Sequence, residues 1–152
     1  MAVGLGASSL PRWLGEDRLS VRAGRMLFTG GVAALVGAAL VNGFAAGRGA
    51  GEAASAIQFP VLAALNQTLA VFGMLLVAAA MALWAVRMLR SGVVAKAAGS
   101  VGLASAVLAL GWLIHGGGAF GLVPAVVATG VFAAWSGLTA ACLLRGPAEP
   151  SR

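Results

Sequence analysis

The chain contains four long apolar stretches, which short polar or glycine-rich segments separate. The stretches cover about residues 26–46, 60–86, 97–115 and 122–144. A bilayer core of roughly 30 Å requires about 20 apolar residues in an α-helix, and each stretch reaches about this length. The strands of a membrane barrel alternate in polarity over about ten residues, which is not the pattern seen here. The pattern therefore predicts an all-α membrane protein with four transmembrane helices.

The connections between the stretches are short, so helices adjacent in the sequence are expected to run antiparallel. The simplest arrangement is an up-down four-helix bundle formed by one transmembrane domain, residues 26–144. Residues 1–25 form an N-terminal leader, and residues 145–152 form a short C-terminal tail.

The leader contains a pattern typical of a short helix. Ser9 and Pro11 suit a helix start, and Leu10, Trp13 and Leu14 would then share one apolar face. Such a helix could lie in the membrane interface. The alternative is a poorly ordered tail.

Composition supports the membrane assignment. Hydrophobic residues make up 61% of the 152 residues and charged residues 9%, whereas a soluble domain has about 45–50% and 25%. This composition excludes a soluble enzyme and a disordered regulator. Cys142 is the only cysteine, which excludes an internal disulfide. The many alanine, glycine and arginine residues favour a bacterial origin.

Positive charge is distributed very unevenly between the two predicted sides of the membrane. With four spans, the N-terminus, the middle connection and the C-terminus share one side, and the opposite side carries only Arg48. That shared side carries Arg12, Arg18, Arg22, Arg25, Arg87, Arg90, Lys96, Arg145 and Arg152. The positive-inside rule therefore predicts cytoplasmic termini (N-in/C-in) in a bacterial plasma membrane. Because the charges flank apolar segments, the net charge of +6 favours membrane topology over nucleic-acid binding.

Three tryptophans occupy different positions in the predicted spans. Trp84 and Trp112 lie near span ends, where tryptophan commonly forms interfacial belts. Trp135 lies in the middle of the fourth span, so we expect it to pack against other helices.

Small residues recur at helical spacing in three of the spans and mark candidate packing faces. Such faces allow the backbones of two helices to approach closely, either within the bundle or with a partner. The predicted packing residues are Gly30, Ala34 and Ala38 in the first span, Gly102 and Ala106 in the third, and Gly137 and Ala141 in the fourth.

Polar side chains lie in the outer half of all four spans. They are Asn42, Asn66, Gln67, His115 and Thr129. One hypothesis is a shallow outward-facing pocket for a small ligand or a quinone-like head group. The alternative is hydrogen bonding between helices, which contributes about 0.6–2 kcal/mol per contact. His115, the only histidine, could exchange protons near neutral pH.

Other chemistry has little support in the sequence. The apolar stretches contain no Asp, Glu, Lys or Arg, which argues against a proton-coupled pump. Cys142 and His115 lie at opposite ends of their spans and cannot form a catalytic pair or share a metal. We therefore predict no catalytic residue, no metal site and no cofactor.

These observations favour a non-enzymatic accessory or interaction component of the membrane. Its expected partners are the lipid bilayer, helices of other membrane proteins, or a second copy of the chain. The first alternative is an oligomeric transporter or channel with the outer polar residues lining its pocket. A second alternative is a membrane redox protein associated with a quinone or another cofactor.

Overall fold

The computed structural model describes residues 9–15, 18–48, 55–115 and 122–145, and these residues form five helices and no strand. The short helix α1 covers residues 9–14. The four long helices are α2 (Leu19–Arg48), α3 (Ser55–Met88), α4 (Val93–Ile114) and α5 (Leu122–Arg145). Residues 1–8 of the predicted leader, the glycine-rich segment 116–121 and the tail 146–152 lie outside the described residues.

The four long helices each contain a segment that is long and apolar enough to cross a membrane. These segments are Leu19–Gly43, Phe59–Met88, Val93–Ile114 and Val123–Arg145. The prediction of an all-α, four-helix membrane bundle is therefore confirmed.

The helices α2 and α3 begin several residues before the apolar stretches from which they were predicted. The first stretch begins near Met26 and the second near Pro60, whereas the helices begin at Leu19 and Ser55. Hydropathy identifies only the part of a helix that is apolar enough to lie in lipid. The helical hydrogen bonds continue past the ends of that apolar part. In α2 the early turns are stabilised by packing, because Val21 is fully buried.

Each long helix packs against its neighbours in the sequence, in the order α2, α3, α4, α5. Gly31 of α2 lies against Gly73 of α3, and Gly37 lies near Leu69, so residue numbers rise on one helix as they fall on the other. The two helices are therefore antiparallel. In the most apolar window of α3, 39% of the residues are buried, against 17% in each other long helix. This makes α3 the central helix of the bundle.

The closest approach of two backbones lies where α2 crosses α3. A Cβ atom on Gly31 would lie 2.8 Å from the carbonyl oxygen of Gly73, and one on Gly73 would lie 2.8 Å from that of Gly31. Neither position has room for a side chain. In lipid, where apolar surface gains little from leaving the solvent, such van der Waals contact is a main source of helix association.

The helix α1 covers one end of the bundle. It ends at Gly15, which has a positive φ of 91° and reverses the chain toward α2, a backbone conformation that favours glycine. Leu10 and Leu14 are buried and belong to the same apolar cluster as Trp84 and Met88. We call this end the basic end, because it carries most of the cations of the described residues. They are Arg12, Arg18, Arg22, Arg25, Arg87, Arg90, Lys96 and Arg145.

Candidate functional site

Two of the predicted polar residues lie on facing surfaces of α2 and α3, at the end of the bundle opposite the basic end. Asn42 lies on the same stripe of α2 as Gly31 and Ala38, and Asn66 lies on the same stripe of α3 as Gly73. Asn66 is half-buried and Asn42 is exposed. The two amides therefore lie on neighbouring helices near the same end of the bundle.

The other members of the predicted layer occupy separate positions. Gln67 is half-buried on α3, His115 is exposed directly after α4, and Thr129 is exposed on α5. The Thr129 hydroxyl donates a 2.8 Å hydrogen bond to the carbonyl oxygen of Ala125 in its own helix. Among the described residues, no Cα atom of α5 lies within 8 Å of α2 or α3, which places Thr129 away from the asparagines. The ligand pocket that the sequence suggested stays a prediction.

The predicted packing residues of α2 differ in how closely they approach α3. Ala38 is buried, Ala34 is half-buried and Gly30 is exposed. A Cβ on Gly30 would make an ordinary 3.6 Å contact with Leu76. The tight crossing instead involves the next residue, Gly31. A sequence spacing of four residues could not distinguish the two glycines, because both lie near the same face.

The packing residues of α4 lie in the centre of the fold. Gly102 and Ala106 are both buried. A Cβ on Gly102 would lie 3.1 Å from the carbonyl oxygen of Met81 on α3 and 3.3 Å from Nε1 of Trp135 on α5. Gly102 therefore gives both neighbouring helices close access to α4.

A cluster of four aromatic side chains connects three helices, and the sequence analysis did not predict that these rings contact one another. It consists of Phe28 on α2, Trp84 on α3, and Phe132 and Trp135 on α5. The rings of Trp84 and Trp135 stack with centroids 5.9 Å apart and planes 10° apart. Phe28 lies 5.4 Å from Trp84 and 6.2 Å from Phe132, centroid to centroid. The packing role expected for Trp135 is confirmed.

The interfacial position expected for Trp84 is wrong. This side chain is only 1% exposed, and its indole N–H donates a 3.3 Å hydrogen bond to the carbonyl oxygen of Val21. A Cβ on Gly24 would lie 2.5 Å from the same indole nitrogen, so the ring lies directly over this glycine. The signal that sequence reasoning missed is Gly24, which leaves space for a ring near the start of α2.

The buried face of α5 carries two polar atoms without a hydrogen-bond partner among the described residues, Nε1 of Trp135 and Oγ1 of Thr139. The two residues are one turn apart, and Trp135 is 4% and Thr139 6% exposed. Unpaired buried polar groups cost free energy, commonly about 1–3 kcal/mol each. The contacts of α5 with α2 and α3 are instead made by the aromatic rings.

The opposite face of α5 is smooth and exposed. Gly130 and Gly137 are seven residues apart, and at each of them a Cβ would meet no atom within 4 Å. Ala133 and Ala140 lie on the same face and are exposed, while Ala141 at its border is half-buried. On a helix this face is turned about 180° from Trp135 and Thr139. The small residues of α5 thus point away from its own bundle.

The described residues offer few groups for metal binding or acid–base chemistry. They contain no cluster of three His, Cys, Asp or Glu side chains that could hold a metal ion. The four acidic residues of the chain (Glu16, Asp17, Glu52 and Glu149) lie outside the described residues. Cys142 is a free, buried thiol on α5.

Comparisons of the chain with models of known protein families, with curated proteins and with solved structures find no match.

Proposed function

We propose that the protein is a non-enzymatic interaction component of a bacterial plasma membrane, with both termini in the cytoplasm. Its recognition surface is the exposed face of α5, formed by Gly130, Ala133, Gly137 and Ala140. The partner is a transmembrane helix, from another protein or from a second copy of this chain.

The observation that carries this proposal is the two-sided character of α5. One face is anchored in the bundle by Phe132 and Trp135, so the helix is held in place. The opposite face presents glycines to the surroundings. In lipid, small residues let two backbones approach and gain dispersion contact that bulky side chains prevent.

The spacing of the exposed glycines also indicates how a partner would cross α5. Gly130 and Gly137 are one heptad apart, with Leu144 a further seven residues along the same stripe. A repeat of seven residues suits a left-handed crossing of about +20°. A partner helix could then follow the stripe over two turns or more.

The test is native mass spectrometry of tagged protein extracted gently from its host membrane, comparing wild type with Gly130→Leu and Gly137→Leu. Leucine at these exposed sites fits the fold and improves helix propensity, so the bundle should stay intact. We expect each variant to lose a partner complex or homo-oligomer by at least about tenfold, which corresponds to about 1.4 kcal/mol.

The matched control is Ala39→Leu, which adds a leucine at an exposed small residue of α2. This variant should retain the complex at the wild-type level. Unchanged complex in both glycine variants, or equal loss in the control, would contradict a recognition role for α5.

A further inference from the structure

A shallow apolar groove runs along α4, on a different helix from the proposed α5 recognition face. It is open to the surroundings, and its volume is about 490 Å³. The lining residues are Leu89, Ser100, Leu103, Ala104, Val107 and Leu108. The five α4 residues follow i, i+3, i+4, i+7 and i+8 spacing, so they form one continuous face.

The length of the groove matches one leaflet of a bilayer. From Ser100 to Leu108 the helix rises about 12 Å at ~1.5 Å per residue. Half of a hydrocarbon core is about 15 Å. Leu103, Val107 and Leu108 are 45%, 64% and 60% exposed, so this surface is open to the surrounding lipid.

One end of the groove is strongly cationic. Lys96 lies one turn before Ser100 on the same face of α4 and is exposed, and Arg90 is exposed in the connection before it. Arg87, in the last turn of α3, is half-buried. Within the described part of the chain, none of the three cationic groups forms a hydrogen bond or an ion pair.

We propose that this groove and its cationic end bind one anionic phospholipid. The phosphate of the headgroup is held by Arg90 and Lys96, and one acyl chain lies along Leu103, Ala104 and Val107. Guanidinium and ammonium groups form strong charge-assisted hydrogen bonds with phosphate oxygens. Basic pockets between transmembrane helices are suited to such headgroups.

Charge favours a lipid over a second copy of the chain as the occupant. A copy docked on this groove in the same orientation would bring its own Arg90 and Lys96 beside these two cations, and like charges would repel, whereas α5 carries only Arg145. A negatively charged headgroup instead complements Arg90 and Lys96, while the apolar groove accepts the acyl chain. The opposite end of the groove, at Leu108, carries no charge that would require a polar partner.

The test is native mass spectrometry of the full-length protein with phosphatidylglycerol or phosphatidylcholine of identical acyl chains. We expect phosphatidylglycerol to bind more tightly, and rising NaCl to reduce the difference. A cation near an anionic surface contributes roughly a fivefold factor in affinity. The double variant Arg90→Gln/Lys96→Gln should therefore lose about 25-fold in affinity for phosphatidylglycerol.

Three further arms of the experiment separate the contribution of the headgroup from that of the acyl chain. Arg145→Gln removes a cation of the basic end on α5 and should change the affinity little. Ala104→Leu narrows the groove without altering charge and should weaken both lipids. Glycerol phosphate, which lacks acyl chains, should not compete at concentrations where the lipid saturates.

Three outcomes would overturn the proposal. These are equal affinity for the two lipids, full retention of phosphatidylglycerol by the double variant, or displacement of the lipid by glycerol phosphate alone. A dimer that Ala104→Leu abolishes would assign the groove to a second copy instead. The α5 variants Gly130→Leu and Gly137→Leu should leave lipid binding unchanged, so the two proposals fail independently.

Discussion

Individual glycines in this chain have different structural roles although the sequence presents them alike. Gly31 and Gly73 form the α2–α3 crossing, where a Cβ would lie 2.8 Å from a backbone oxygen. Gly24 leaves space for the Trp84 ring, and Gly137 faces outward with nothing near it. Each role follows from which helix lies opposite the residue.

Gly31→Ala should destabilise the bundle by about 1–3 kcal/mol, because the added methyl group forces the α2 and α3 backbones apart. The matched control is Gly30→Ala, where the methyl group makes an ordinary contact with Leu76. The control should be neutral or up to about 1 kcal/mol more stable through helix propensity. Reversible unfolding in mixed detergent micelles measures both, and equal effects would contradict the crossing point.

Trp84→Phe should cost about 0.5–1.5 kcal/mol, because the indole hydrogen bond to the carbonyl oxygen of Val21 is lost while that oxygen keeps its partner within α2. The control is Trp112→Phe on α4, a residue that is 43% exposed. It should have an effect within about 0.5 kcal/mol. The same detergent unfolding assay applies, and a harmless Trp84→Phe would show that the hydrogen bond contributes little.

At the scale of elements, α1 and α5 illustrate two ways of attaching a helix to the central α2–α3–α4 layer. The short α1 inserts Leu10 and Leu14 into the apolar cluster at the basic end. In α5, aromatic rings reach α2 and α3, while its backbone approaches α4 alone. Neither attachment can be predicted from hydropathy, because the hydropathy of each helix is the same whether or not it packs on the bundle.

Leu10→Ala should destabilise the folded protein by about 2–5 kcal/mol, because the residue is 1% exposed and its removal leaves a cavity under α1. Leu19→Ala is the matched control, since Leu19 is 84% exposed at the start of α2. Thermal unfolding of the two purified variants compares them directly. Similar melting temperatures for both would indicate that α1 does not dock on the bundle.

At the scale of the whole molecule, lipid replaces water as the solvent of the apolar surface. Large hydrophobic side chains such as Val93, Ile114 and Leu144 are 80–89% exposed, which a soluble protein would not sustain over so much of its surface. Stability therefore depends on close packing along α3 more than on removing apolar area from water. Among the described residues, the charged side chains lie in or near the first and last turns of the helices.

The proposed orientation predicts which ends of the helices an impermeant reagent can reach. In a Cys142→Ala background, His115→Cys should react with a membrane-impermeant maleimide in intact cells. Arg90→Cys should react only after permeabilisation, because the proposed orientation places the basic end on the cytoplasmic side. The reverse pattern would overturn the orientation, and labelling of both positions in intact cells would indicate a mixed topology.

The sequence alone determined that the chain is a four-helix membrane protein and which ends of the helices carry the charge. Both depend on the solvent: lipid requires about 20 apolar residues per helix and excludes ions from its core. The sequence also indicated that small residues mediate helix packing, and it predicted that Trp135 packs in the interior. Each of these predictions depends only on the residues within a single span and its flanks.

Only the tertiary structure decided which neighbour each side chain meets. It placed Trp84 beneath α2 rather than in an interfacial belt, and it moved the tight crossing from Gly30 to Gly31. It turned the glycines of α5 outward, and it left the Ser100–Leu108 face of α4 exposed. Lipid solvates every face of an apolar helix equally well, so hydropathy does not show which face contacts a neighbouring helix. Shape complementarity between the helices decides which faces pack together.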